Sequence, residues 1–142
     1  MSKKILLILV LCTVLSVPPA FSFGTKELDT EKIAVNFLRE VERGGYKVIT
    51  AKELKDWIDQ KKDILIIDTM PFAASYKKHH IPGAVNFEFP IPEVPSLDEQ
   101  TKQAFIKLLG NDKDKTLVFY CGFTTCTRSH NGAIMFTVSL VE

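Results

Sequence analysis

Two continuous apolar runs stand out in the second half of the chain. Ile64–Ile67 and Leu117–Tyr120 show no alternation of apolar and polar positions, which is typical of strands buried on both faces of a parallel sheet. Both are therefore predicted to be central strands. Helical segments alternate with them, which predicts an α/β fold with an open parallel sheet and helices on both faces. In such sheets the reactive loops lie at the carboxyl ends of the strands.

Helical spacing dominates the part of the chain before the first buried run. The apolar positions of Asp29–Arg43 predict an extra N-terminal helix, which ends at Gly44–Gly45 because glycine favours helix C-termini. Val48–Ile49 predicts a short strand. Thr50 and Glu53 form a capping box, in which each side chain accepts a free backbone N–H of the other. The helix that it opens has an apolar face made of Leu54, Trp57 and Ile58.

The segment between the two runs is predicted to hold a short helix over Pro71–Lys78, a turn at Ile81–Gly83 and a proline-broken loop from Pro90 to Pro95. A helix over Asp98–Leu109 follows. Its predicted buried positions are Thr101, Ala104, Phe105 and Leu108. On their spacing, Trp57 and the phenylalanines are predicted to be core residues.

The first 22 residues have the pattern of a secretory signal peptide. Lys3 and Lys4 precede the apolar run Ile5–Val17, and the small residues of Ala20–Ser22 predict cleavage before Phe23. A run of this length is too short to cross a bilayer comfortably. We therefore expect a periplasmic or secreted protein, divided into a signal peptide (1–22), a helical extension (23–47) and one α/β domain (48–142). The alternative of a lipid attached at Cys12 is disfavoured, because no small residues directly precede that cysteine.

Composition and charge limit the possible partners. The chain has 142 residues, 46% of them hydrophobic and 25% charged, as expected of one ordinary globular domain. Disorder, collagen and coiled coil are thereby excluded. Without Lys3 and Lys4 the exported chain has one more acidic than basic side chain, which argues against nucleic acid or an anionic membrane as its main partner. Small molecules and proteins remain, and no membrane association is expected after cleavage.

The candidate nucleophile is Cys121, which directly follows the second buried strand. The residues after it form a small, hydroxyl-rich loop leading into a predicted helix: Gly122, Phe123, Thr124, Thr125, Cys126, Thr127, Arg128 and Ser129. Such a loop directs backbone N–H groups inward, and with the helix dipole these make an anion site that stabilises a thiolate. Arg128 would add a fixed positive charge. The alternatives are that Cys121 is an inert buried thiol and that Ser129, a candidate helix N-cap, is an exposed polar residue.

Cys126 lies five positions after Cys121, close enough in sequence for a disulfide whose geometry the sequence cannot establish. In an oxidising compartment such a bond would make Cys126 a redox partner that masks the nucleophile. The equal alternative is that Cys126 only fills the loop. A zinc site built on His79, His80 and His130 is disfavoured because no spaced set of acidic residues accompanies them, so no metal site is expected.

Taken together, several of these segments resemble the rhodanese domain, and in particular its exported single-domain members. The resemblance rests on Asp68, Tyr76, the run His80–Asn86, Tyr120–Cys121 and the loop closing on Arg128–Ser129. It implies a sulfurtransferase without a cofactor. The loop cysteine would take sulfur from thiosulfate or a similar donor as a persulfide and pass it to cyanide or to a thiol of a small molecule or protein. Within the motif, structural roles are implied for Asp68, His80, Pro82 and Gly83.

The chain also departs from the family pattern in three respects. Met70 and His79 stand where an arginine and a glycine are usual, and Arg128 follows the cysteine by seven residues instead of five. After Ser129 the family continues through a helix, a strand and a closing helix, of which the last strand and helix are missing before Glu142.

Two alternatives to a sulfurtransferase stay open. Phosphatases and arsenate reductases that resemble rhodaneses use a longer cysteine loop ending in arginine. A non-catalytic module that binds a partner or carries sulfur would also fit, and the short C-terminus favours it.

Overall fold

The structure, a computed structural model, describes residues 22–112 and 114–139. The predicted signal peptide, with Cys12, lies outside the described residues except for Ser22. The described part of the chain contains four α-helices, one π-helical turn and three strands. In chain order they are α1 (Ser22–Gly44), α2 (Ala51–Asp59), β1 (Ile64–Asp68), a π-helical turn (Phe72–Tyr76), β2 (Val85–Asn86), α3 (Glu99–Leu109), β3 (Thr116–Tyr120) and α4 (Thr127–Ser139).

The three strands form an open parallel sheet in the order β2-β1-β3. The predicted fold class is confirmed, but only β1 is a central strand. Within the described residues β3 pairs with β1 alone, so the prediction that both runs are central is wrong for β3. The strand predicted at Val48–Ile49 is also wrong: this segment is irregular, with Val48 exposed and Ile49 packed on the core.

Alternate side chains of β1 enter two separate hydrophobic clusters. Ile66 packs in the cluster that contains Leu54 of α2. Ile67 packs in the cluster that contains Phe105 of α3 and Met135 of α4. Because neighbouring residues of a strand point to opposite faces, α2 covers one face of the sheet and α3 and α4 cover the other. This arrangement explains why the first four residues of the strand, Ile64–Ile67, are all apolar.

The predicted core is correct for most of the large side chains. Phe89 and Phe105 are fully buried, whereas Phe72 and Phe123 are more than half exposed and correct the expectation that all phenylalanines are core. In α3 the predicted Ala104 is also exposed. Both exposed phenylalanines follow a strand end by a few residues, where the chain leaves the sheet for the surface.

Side-chain caps begin two of the helices as the sequence predicts. The Thr50 hydroxyl accepts from the Glu53 N–H at 3.1 Å, and the Glu53 carboxylate accepts from the Thr50 N–H at 2.7 Å. The hydrogen bonds that the Glu53 carboxylate accepts from the Thr50 N–H and from the Thr50 hydroxyl lower the pKa of Glu53. Asp98 caps α3 by accepting from the N–H and hydroxyl of Thr101, which lowers the pKa of Asp98 in the same way.

Residue contacts divide the chain between Asn36 and Phe37. The first unit is described from Ser22 to Asn36, all of it helical. The second unit starts at Phe37 and holds the whole sheet. Among the described residues, no helix combines the length and the apolar character needed to cross a membrane.

At Gly132, α4 approaches the sheet closely. A Cβ atom at this position would lie 2.6 Å from a ring carbon of Phe119 and 3.2 Å from one of Phe89, which is fully buried. The close approach lets α4 pack directly on β3, the strand that ends at the candidate nucleophile.

We expect Gly132→Ala to lower the free energy of unfolding by up to about 2 kcal/mol, because overpacking costs about 1–3 kcal/mol and the better helix propensity of alanine returns about 1 kcal/mol. Denaturant unfolding measures the difference. The control is Gly24→Ala in α1, where the added Cβ meets nothing within 4 Å and stability should not fall. Equal effects of the two substitutions would contradict the packing described.

Candidate active site

The carboxyl ends of β1 and β3 are joined by a buried hydrogen-bond network. Asp68 and Tyr120 stand opposite each other in the sheet register, and Asp68 is 1% exposed. The Tyr120 hydroxyl donates to Asp68 Oδ2 at 2.6 Å and accepts from the Ile81 N–H at 3.1 Å. Asp68 Oδ1 accepts from the Met70 N–H at 2.8 Å. Both carboxylate oxygens are therefore satisfied without an arginine partner.

The main chain of Tyr120 is held as firmly as its side chain. The Thr69 N–H and hydroxyl both donate to the Tyr120 carbonyl, at 3.1 and 2.8 Å. Burial, and then the hydrogen bond from its hydroxyl to Asp68, raise the pKa of Tyr120 above its ordinary value. The residue directly before Cys121 is thus fixed at both its hydroxyl and its carbonyl.

A second set of contacts fixes the chain that leaves β1. The Asn86 side-chain amide donates to the carbonyls of Asp68 and Met70, at 3.0 and 2.8 Å. The Met70 thioether sulfur lies 3.4 Å from Cys121 Sγ. Because Cys121 Sγ is bonded to another sulfur and has no proton to donate, this is a sulfur–sulfur contact and not a hydrogen bond.

The turn predicted at Ile81–Gly83 is present and packs beside the same strand ends. Gly83 has a φ of +83°, a conformation that side chains other than glycine rarely adopt. The Tyr76 hydroxyl donates to the Ala84 carbonyl at 2.8 Å, and the His80 ring stacks on the Tyr76 ring at 4.1 Å. His80 Nδ1 lies 2.9 Å from the Tyr76 carbonyl oxygen. This turn also supplies the Ile81 N–H, which donates a hydrogen bond to the Tyr120 hydroxyl.

Cys121 forms a disulfide with Cys126, with the two Cα atoms 6.2 Å apart. The intervening residues Gly122–Thr125 are exposed, Cys121 is half-buried and Cys126 is buried. The two cysteines are therefore unequally exposed.

The helix after the loop begins earlier than expected. Its first residue is Thr127, so Ser129 lies inside the first turn of α4 and the prediction of Ser129 as N-cap is wrong. The Ser129 hydroxyl instead donates to the Cys126 carbonyl at 3.1 Å. As a result Cys126 stands immediately before the helix, next to its partial positive charge.

Arg128 is turned toward the segment after β2. Its guanidinium forms an ion pair with Glu88 at 3.3 Å and donates a hydrogen bond to the Phe89 carbonyl, and its side chain is only 13% exposed. In this oxidised form Arg128 therefore secures the Glu88–Phe89 segment against α4. A direct role for Arg128 in holding an anion stays a prediction.

Two further residues of α4 hold the proline-rich loop. The Asn131 amide donates to the carbonyls of Pro90 and Pro92, each at 2.9 Å. His130 is 4% exposed, with Nδ1 2.8 Å from the Tyr46 hydroxyl and Nε2 3.7 Å from Glu93. Through these two residues, α4 contacts both the proline-rich loop and Tyr46.

Within residues 22–112 and 114–139, no group of three or more His, Cys, Asp or Glu side chains is placed to hold a metal ion. His80 stacks on Tyr76, whereas His130 packs against Tyr46. The two rings therefore have separate surroundings.

The rhodanese-like domain model matches residues 50–139, which are 90 of the 142 residues. The chain belongs to the rhodanese-like domain family. The match begins at the capped start of α2 and includes β1, β3, the cysteine loop and α4. Comparison with curated proteins and comparison with solved structures gave no match.

The structure brings Asp68, Tyr120, Cys121 and the Ile81–Gly83 turn of the rhodanese-like domain together at one edge of the sheet. Sequence reasoning missed three contributors: Thr69, Asn86 and the contact of Met70 with Cys121. The sequence signal for these contributors is weak. Each is a polar or sulfur-containing residue within two positions of the end of a strand, where the site of an α/β protein is expected.

We expect Tyr120→Phe to lower the free energy of unfolding by about 2 kcal/mol near neutral pH, because it leaves a buried carboxylate oxygen and the Ile81 N–H without a partner. Since folding raises the pKa of Tyr120, the hydroxyl's contribution is complete below the unfolded value of about 10 and is lost as the pH rises above it. The stability gap between the two proteins should therefore shrink between pH 8 and pH 11 in urea unfolding. A gap that is absent or independent of pH would contradict the network.

Proposed function

We propose that the protein is a rhodanese-type sulfurtransferase whose Cys121 carries sulfur as a persulfide. The observation that supports this most strongly is the placement of Cys121. It directly follows the residue fixed by Asp68 and Thr69, at the carboxyl end of β3, within a rhodanese-like domain. Cys121 is also the more exposed of the two cysteines in the disulfide.

The disulfide has to open before sulfur transfer begins. A thiolate of a small dithiol attacks Cys121 Sγ, the Cys121–Cys126 bond breaks, and Cys126 leaves as a thiolate. The position of Cys126 before α4 favours this direction, because the helix N-terminus stabilises a leaving thiolate. The second thiolate of the reductant then attacks the reductant's own sulfur in the mixed disulfide. Cys121 is released as a thiolate, and the reductant leaves as a cyclic disulfide.

Sulfur transfer itself is a pair of displacements at sulfur. The Cys121 thiolate attacks the outer sulfur of thiosulfate, a Cys121 persulfide forms, and the thiosulfate S–S bond breaks to release sulfite. Cyanide or an acceptor thiolate then takes the outer sulfur and returns the Cys121 thiolate. The exposed loop Gly122–Thr125 supplies backbone N–H groups and hydroxyls that would stabilise the anionic donor and leaving group.

An oxidising compartment fits both the chemistry and the sequence. The predicted signal peptide directs the chain to the periplasm or outside the cell, where disulfides form and persist. The substrate would then be a small sulfur-containing anion, and the acceptor a thiol of a small molecule or protein.

A second candidate is a sulfur carrier or binding module without turnover. The observation that favours it is the ion pair of Arg128 with Glu88, which neutralises the one cation of the loop that would bind a dianionic donor. A persulfide would still form on Cys121 in such a module, but its release to cyanide would not be catalysed.

The test is thiosulfate:cyanide turnover with and without a dithiol reductant, measured beside Cys121→Ser and Cys126→Ser. We expect turnover only after reduction, none in Cys121→Ser, and turnover without reductant in Cys126→Ser. Peptide mapping should find Cys121 linked to Cys126 before reduction and a +32 Da adduct on Cys121 after thiosulfate.

The other outcomes discriminate between the candidates. A +32 Da adduct without turnover identifies the carrier module. Hydrolysis of an aryl phosphate or reduction of arsenate without any adduct identifies the phosphatase or arsenate reductase alternative. Full turnover in Cys121→Ser with loss in Cys126→Ser reverses the roles of the two cysteines.

A further inference from the structure

Three sulfur atoms meet at the carboxyl end of the sheet, and together they have the chemistry of a soft-metal site. We propose that the reduced protein binds one Cu(I) ion through the thiolates of Cys121 and Cys126 and the thioether of Met70. This inference goes beyond sulfur transfer and does not depend on it, because it requires only that the disulfide be opened.

Cys121 Sγ lies within contact distance of both of the other sulfurs. Cys121 Sγ is bonded to Cys126 Sγ and lies 3.4 Å from Met70 Sδ. The backbone of Met70 is fixed at both ends of the residue, by its N–H to Asp68 and its carbonyl to Asn86. A Cβ atom at Gly122 would lie 3.5 Å from Met70 Cε and 3.8 Å from Met70 Sδ. Because Gly122 has no side chain, it does not cover the thioether. The methionine is therefore positioned and stays open toward the cysteines.

The spacing suits a metal ion after a small movement. With metal–sulfur bonds of about 2.3 Å, sulfurs in a trigonal arrangement stand about 4 Å apart. Met70 Sδ and Cys121 Sγ are already near this separation. Breaking the disulfide frees the two cysteine sulfurs to separate, and the loop Gly122–Thr125 between them is exposed and unobstructed.

The type of donor selects the metal. Thiolate and thioether sulfurs are soft ligands and favour Cu(I), whereas Mg²⁺, Ca²⁺ and Mn²⁺ prefer oxygen. A thioether is a poor ligand for Zn²⁺, and the described residues place no third His, Cys, Asp or Glu beside the cysteines. A dithiol first reduces the disulfide to two thiols. Cu(I) then binds both sulfurs as thiolates, and the two thiol protons are released.

The test is a titration of the reduced, desalted protein with Cu(I) under anaerobic conditions, in competition with a chromophoric Cu(I) chelator. All proteins carry Cys12→Ser, so that the remaining thiol does not contribute. We compare the parent with Met70→Leu, a volume-conserving change that keeps the packing. Met135→Leu, in the buried core, is the matched control.

We expect one Cu(I) per chain, binding to Met70→Leu weakened at least tenfold, binding to Met135→Leu unchanged, and no binding to the unreduced protein. X-ray absorption should count three sulfur neighbours in the parent and two in Met70→Leu. Equal affinity of the parent and Met70→Leu, two sulfurs in the parent, or no stoichiometric binding after reduction would each overturn the proposal.

Discussion

The hydrogen bond between the Tyr120 hydroxyl and the Asp68 carboxylate is the interaction on which the rest of the site depends. It joins the last residues of two neighbouring parallel strands, and the Asp68 carboxylate is almost fully buried, so that leaving it unpaired would be costly. Thr69 adds two hydrogen bonds to the Tyr120 carbonyl, and Ile81 adds one to its hydroxyl. Cys121 therefore leaves the sheet from a fixed point, although its own loop is exposed.

The N-terminal part of α4 completes this arrangement from the other side. It places Cys126 against the positive end of a helix and directs Arg128 and Asn131 to the segment after β2. The close approach of Gly132 to Phe119 presses the same helix onto β3. One strand end and one helix start thus determine how two cysteines of unequal exposure face each other. This is the basis for proposing that the reductant attacks Cys121 and that Cys126 leaves.

The sequence predicted those parts of the fold that depend on local pattern and could not predict those that depend on contact between distant residues. The apolar runs, the Thr50–Glu53 capping box and the glycine turn at Gly83 each carry their signal within a few positions. The edge position of β3 depends on which strand pairs with it, and the ion pair of Arg128 depends on Glu88, forty residues away. The contact of Met70 with Cys121 likewise joins residues from two strand ends, so no spacing in the chain indicates it.

We propose that the fixed end of β3 positions Cys121 for reaction. The most direct test is the single-turnover rate at which reduced Cys121 takes up sulfur from thiosulfate, compared between the parent, Tyr120→Phe and the control Tyr46→Phe, with folding checked by circular dichroism. Loss of the hydrogen bond to Asp68 should slow uptake at least about tenfold, because small displacements of a nucleophile are costly in rate. Tyr46→Phe, which loses a hydroxyl beside His130, should react within about twofold of the parent. A folded Tyr120→Phe that takes up sulfur as fast as the parent would contradict the claim.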